Sequence, residues 1–253
     1  MRLPLLLSSI LVLALVASCS PQPSAPPAAG GGKRVNLATA GTITGRVTFE
    51  GTPPAPKPLK MAADPACAEG SGTNPKDDAV LINDAAIQNV FVYVKDGLDP
   101  AYSFDVPKDA LKFDQRGCRY LPRVFGVRAG QALDIINDDN TLHNVHALPK
   151  ANQEFNRSLP LKGEHMKPMP VFATPEVMVR FKCDVHNWMA AYVGVMAHPF
   201  YAVTGDKGTF DLTGLPPGTY TIEAWHERFG AQTQKVTVGD RQTQTVAFTF
   251  KAS

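Results

Sequence analysis

The sequence predicts an all-β protein of sandwich type, and three observations carry that reading. Apolar residues alternate with polar ones at period two, as in Ile43, Val47 and Phe49, in Tyr220, Ile222 and Ala224, and in Val246, Phe248 and Phe250; this is the pattern of strands with one buried face. Clusters of Gly and Pro punctuate the chain at Gly51 to Pro54, Asp206 to Gly208 and Leu215 to Gly218, where turns are expected. No stretch longer than about ten residues has the spacing of an amphipathic helix.

Along the chain, residues 1–18 read as an export signal: Arg2 gives a positive start and Leu3 to Ala17 form an apolar run. The run is shorter than the roughly 20 residues of a spanning helix. It ends in Val16-Ala17-Ser18-Cys19, which resembles the bacterial lipobox. That resemblance implies that Cys19 becomes the lipidated first residue of the mature chain; the alternative is an ordinary signal peptide with a chance cysteine. Residues 19–37 are rich in Pro, Ala, Gly and Ser without apolar periodicity, so a flexible linker is expected. The expected location is the periplasmic or cell-surface side of a membrane, held there by lipid. Lys and Arg number 25 against 23 Asp and Glu, with no block of like charge, so nucleic acid is not an expected partner.

About 215 residues remain for one large or two small domains. Val90 to Val94 (VFVYV) is a continuous β-prone run, as expected of a strand covered on both faces. The stretch from Gly41 to Gly51 and the stretch from Gly208 to Ala224 resemble the first and later strands of carboxypeptidase regulatory-like domains, which are small transthyretin-like sandwiches. That family keeps these strands closer in sequence, so about a hundred residues between Asp96 and Tyr201 read as an insertion, which surface loops accept at low entropic cost. Residues 38–100 and 199–253 are then expected to form one split sandwich, with 101–198 inserted as a second domain. Two domains in tandem, the first truncated, is the alternative.

Inside the insert, Val124 to Asn137 gives two strands around a Gly turn, and His143-Asn144-Val145-His146 follows. Forty residues after His143 comes Cys183-Asp184-Val185-His186-Asn187-Trp188-Met189. A copper site for electron transfer uses two imidazoles and a thiolate in a trigonal set with a weak axial thioether, and the sequence offers that set once. Val177, Val179 and Phe181 alternate on a strand that delivers Cys183, and a tight turn then presents His186 and Met189. Zinc also takes Cys and His, but the methionine favours copper. A two-copper centre would need a second cysteine in the same loop.

The segment from about 108 to 198 resembles the cupredoxins of the plastocyanin/azurin family, and its Cys-x-x-His-x-x-Met loop is similar in length to that of amicyanin. The resemblance implies a Greek-key sandwich and one blue (type 1) copper per chain, held by His143, Cys183, His186 and Met189, with His146 outside the ligand set. It further implies that His186 is exposed at the surface, with Trp188 beside it in an apolar docking patch; a core ring is the alternative for Trp188. Asn187-Trp188 stands where amicyanin-like loops carry proline and an aromatic residue. Asn144 and Asp184 are expected to orient ligands through hydrogen bonds. The residues alone leave His146 as a rival to His143.

Cys67 and Cys118 are expected to pair, because an oxidising compartment leaves few stable alternatives; closing that loop would contribute about 4 kcal/mol in the chain-entropy model. A second metal or cofactor attachment is their rival. His165, Met166 and Met169 read as an exposed, Pro-rich loop with adaptable Met contacts that could also sample copper. His198 and His226 lack partner spacing.

The expected function is that of a membrane-tethered, one-electron copper carrier, not an enzyme, between extracytoplasmic redox partners of cytochrome or oxidase type, with no small-molecule substrate. A copper carrier or chaperone, or a structural surface lipoprotein with an incidental copper site, are the alternatives.

Overall fold

A computed structural model describes residues 31–70 and 74–252. The export signal, Cys19 and most of the linker lie outside the described residues. Within them the chain is built of strands in four sheets, with one 3-10 turn at Met61–Ala63 and one short helix at Pro65–Gly70.

Two sheets come from the two ends of the chain. In one, Gly41–Glu50 pairs antiparallel with Thr209–Leu215 and parallel with Thr243–Lys251, and the short strands Ala86–Ile87 and Ile82–Asn83 continue the edge. In the other, the order is Tyr201–Val203, Phe91–Asp96, Gly218–His226, Gly230–Val238. The alternating residues predicted to be apolar-in meet between these sheets: Ile43, Val47, Phe49, Phe210, Leu212, Tyr220, Ile222, Ala224, Val246, Phe248 and Phe250 share one core. Strands from residues before 97 and after 200 thus make one sandwich, called here the outer sandwich.

The other two sheets come from the residues in between. One runs Phe155–Leu159, His143–Leu148, Glu176–Lys182, Ala190–Met196, Val124–Arg128; the other runs Glu164–Pro170, Ala132–Asn137, Leu111–Gln115, Tyr120–Leu121. Their facing residues, Phe113, Leu133, Ile135, Val145, Phe181 and Val193 among them, form a second core. The chain is therefore an all-β protein of sandwich type.

The continuous apolar run at Val90 to Val94 has a two-sided explanation. Val90, Val92 and Val94 face the outer core, while Phe91 and Tyr93, on the opposite face of the strand, pack against Val124 and Met196 of the inserted sandwich. Two glycines make that approach close enough. Gly126 and Gly194 are directly opposite each other on paired strands; a Cβ on Gly194 would lie 2.3 Å from the Phe91 ring, and one on Gly126 would lie 2.2 Å from the Tyr201 ring. Arg123 locks the same junction: its guanidinium pairs with Glu227 of the outer sandwich and with Asp78.

Two local expectations are corrected. Val177 does not alternate inward with Val179 and Phe181: the strand bulges between Glu176 and Val179, with Met178 at φ 62°, and the lost phase leaves Val177 39% exposed. His165, Met166 and Met169 lie not in a loop but on the edge strand Glu164–Pro170, where pairing with Ala132–Asn137 supplies the backbone partners that a polar sequence conceals.

Candidate metal centre

The site forms at one end of the inserted sandwich, where backbone geometry fixes each side chain. Asn137 folds the preceding turn, its Nδ2 donating to the carbonyls of Thr141 and Leu159 and its Oδ1 accepting the Asp139 amide. The strand restarts at His143, which is fully buried. Residues 143, 145 and 147 face the core, so His146, an odd number of residues away, points to the other face. There it bridges the carboxylates of Asp184 and Glu154.

Cys183 follows the end of the strand Glu176–Lys182. The chain then turns back on itself: the His186 amide points at the Cys183 sulfur at 3.4 Å, the Met189 amide donates to the His186 carbonyl at 2.9 Å, and the Cys183 amide donates to the Met189 carbonyl at 3.3 Å. This closed turn holds Cys183, His186 and Met189 with none more than 3% exposed. Met189 packs in the same apolar cluster as Cys183.

The Nδ1 atoms of His143 and His186 lie 2.9 Å apart, and the Cys183 sulfur lies 4.0 Å from the His186 Nδ1. All three ligand atoms are within 4.8 Å of one another, a spacing that metal–donor bonds of about 2 Å can span. The outer nitrogens decide the tautomers. His143 Nε2–H donates to Asp139 at 2.9 Å and His186 Nε2–H donates to Asp64 at 3.0 Å. The inner nitrogens therefore face each other at 2.9 Å beside a thiol, a spacing at which a shared proton or a metal cation lies between them. The donor set, two imidazoles, a thiol and a nearby thioether residue, fits copper.

Electrostatics support the same reading. Burial pushes the Cys183 thiol up, but hydrogen bonding from His143 and from the amides of Asn144, His186 and Val185 outweighs it, so the net direction is toward thiolate. Burial likewise pushes His143 down, and the hydrogen bond to Asp139 together with Cys183 reverses this, leaving it raised. His186 is lowered, by burial first and by the charge of His143, against the pull of Asp64. Asp139 stays below the ordinary carboxylate range because its hydrogen bonds from His143, Cys118 and Gly117 outweigh burial. Asp64 is also lowered, first by the Thr141 hydroxyl.

Asn144 and Asp184 stand where hydrogen bonds orient the thiol: Asn144 Oδ1 accepts from the Cys183 thiol at 3.2 Å and from the Asp184 amide, while Asn144 Nδ2 and Asn156 Nδ2 both donate to the Asp184 carboxylate. The Tyr120 hydroxyl donates to the Asn144 carbonyl. Cys67 and Cys118 are disulfide-bonded, joining the long connection after Gly41–Glu50 to the inserted sandwich.

Two expectations about the rim are corrected. His186 is not exposed: it is 3% accessible, closed off by Asp64 and by the Cys67 sulfur 3.6 Å from its Nε2. Trp188 is not an open patch but half-buried, its Nε1–H donating to the Cys118 carbonyl and its ring 5.1 Å from that of His186. The closure of His186 follows from the segment carrying Asp64 and Cys67, a connection between two outer strands that packs on the core of the inserted sandwich. Sequence reasoning also missed the two carboxylates. Asp139 lay four residues before His143 and was recoverable from that spacing; Asp64 is 122 residues from His186 and left no local signal.

Residues 191–251 match the carboxypeptidase regulatory-like domain family. The match covers the later strands of the outer sandwich and begins within Ala190–Met196, the strand of the inserted sandwich that leads into them. No curated protein matches the chain. Among solved structures, the chain is similar to a copper-containing nitrite reductase from Thermus scotoductus SA-01, at 19% identity over 39% of this chain and 27% of that one, with a TM-score of 0.32. It is similar to a purple cupredoxin from Nitrosopumilus maritimus, at 21% identity over 35% of this chain and 100% of that one, with a TM-score of 0.29. It is also similar to a methionine mutant of amicyanin in its Cu(I) form, at 22% identity over 40% of this chain and 98% of that one, with a TM-score of 0.30. No described helix is long and apolar enough to cross a membrane.

Proposed function

We propose that the chain is a one-electron carrier with a single copper held by His143, Cys183, His186 and Met189, exported and tethered through Cys19 to a membrane. The observation that supports this most is the convergence of two imidazole nitrogens and a buried thiol, each imidazole fixed by a carboxylate behind it. Bound there, copper would supply a couple between two oxidation states without bond making.

The protein's part is to hold its donors still. His143 sits on a strand paired on both sides, and the Cys183–Met189 turn is closed by its own backbone bonds, so the donors have little freedom to rearrange when charge changes. Burial to 3% or less keeps water and small substrates from the donor atoms. Trp188 touches His186 and is flanked by Val185, which is 54% exposed. Redox proteins of cytochrome or oxidase type would exchange electrons over this rim.

The copper-loaded chain is expected to show an intense thiolate-to-copper charge-transfer band in the visible and a reversible one-electron titration. His143→Ala should abolish the band, and His146→Ala should only shift it. A colourless protein at full copper occupancy would sink the proposal. A carrier or chaperone, the second reading, needs exchangeable copper; Met169, 49% exposed on the edge strand, is its support, and rapid loss of copper to a chelator from the unmodified chain would favour it.

A further inference from the structure

The outer nitrogen of His186 is occupied by a residue from outside the inserted sequence. Asp64 lies in the connection between Gly41–Glu50 and Ile82–Asn83, two strands of one outer sheet. Its carboxylate is tightly placed: Oδ2 accepts from His186 Nε2 at 3.0 Å and from the Thr141 hydroxyl at 2.7 Å, while Oδ1 accepts the amides of Ala66 and Cys67. Three residues on, Cys67 is bonded to Cys118. Three residues before, Met61 is 1% exposed within the core of the inserted sandwich. Anchors on both sides therefore hold Asp64 against the ring.

Building on the copper reading, we propose that Asp64 is a positioning residue for the metal centre, supplied by the connection between two strands of the outer sandwich. By accepting the Nε2–H it keeps His186 in the tautomer whose Nδ1 faces Cys183 and His143. Its negative charge makes the ring a stronger donor and favours the more highly charged oxidation state of a bound copper. The segment around it also seals the ring from solvent, so it retains the ion. His143 receives the same service from Asp139 within the inserted sandwich, so the two rings form a matched pair with supports of different origin.

The test uses the full chain and its Asp64→Asn and Asp64→Ala variants. With copper bound, Asp64→Asn is expected to lower the preference for copper(II) over copper(I) about tenfold, a rise of about 59 mV in a one-electron potential. Copper release to a chelator should quicken by roughly tenfold or more, the usual cost of losing such a partner. Unchanged potential and release, with the visible band intact, would overturn the proposal while leaving the copper reading standing. In the metal-free chain, nitrogen-15 NMR should show His186 protonated at Nε2, and Asp64→Ala should shift it toward the other tautomer. An unchanged tautomer would overturn the positioning role whether or not copper binds.

Discussion

Buried histidines in the outer sandwich and in the inserted one have opposite surroundings. His226 of the outer sandwich packs against Phe229 and Phe250, with no hydrogen-bond partner at its Nε2. His198, beside the same core, spends its Nε2–H on the Val94 carbonyl and its Nδ1 on the Phe200 amide. Burial pushes both down to about 4, which leaves neutral rings; neither is backed by a carboxylate, and His198 is only half-buried. His143 and His186 are also buried, but each is backed by a carboxylate and fronted by a thiol. Burial alone makes a histidine inert; a carboxylate behind the ring is what turns its other nitrogen into a ligand. One of the two carboxylates, Asp64, comes from a connection between outer strands, outside the inserted sequence.

Breaking the latch tests that dependence most strongly. Replacing both Cys67 and Cys118 by serine should lower stability by about 4 kcal/mol in the chain-entropy model, seen as a lower denaturant midpoint. Amide exchange should quicken around His143 and in the Cys183–Met189 turn, with the Gly218–His226 strand unchanged. Equal loosening of both sandwiches would contradict the separation drawn here.

Acid should act on the other side of the comparison. The folded-state values of His198 and His226, about 4, lie below the ordinary 6.5. Between those values the unfolded chain binds protons that the folded chain refuses. Stability is therefore fully present above about 6.5 and is lost as pH falls toward 4, by roughly 3 kcal/mol per histidine as an order of magnitude. Denaturant melts at pH 7 and pH 5 measure this, and His226→Phe should flatten the slope.

A smaller effect is expected at the junction. Gly194→Ala drives a methyl into the Phe91 ring and should cost about 1–3 kcal/mol, as overpacking does. If the junction is as tight as the glycine pair suggests, the copper band will survive while the melting temperature falls. An unaltered melt would show that the ring can step aside.

Much of this molecule was legible in the chain. Period-two alternation located the strands of the outer core, because a strand turns successive side chains to opposite faces whatever its partners. The three-residue steps of Cys183, His186 and Met189 lie within one short turn, so their grouping required nothing from the rest of the fold. Tertiary structure alone decided what surrounds them. It separated His143 from His146 through the phase of a strand whose buried face is set by its neighbours, and it shifted Val177 outward by a bulge. It closed His186, because the packing of Met61 and the Cys67–Cys118 disulfide hold Asp64 and Cys67 over the site. No local pattern encodes that contact, because the carboxylate is 122 residues away and meets the ring only through tertiary packing.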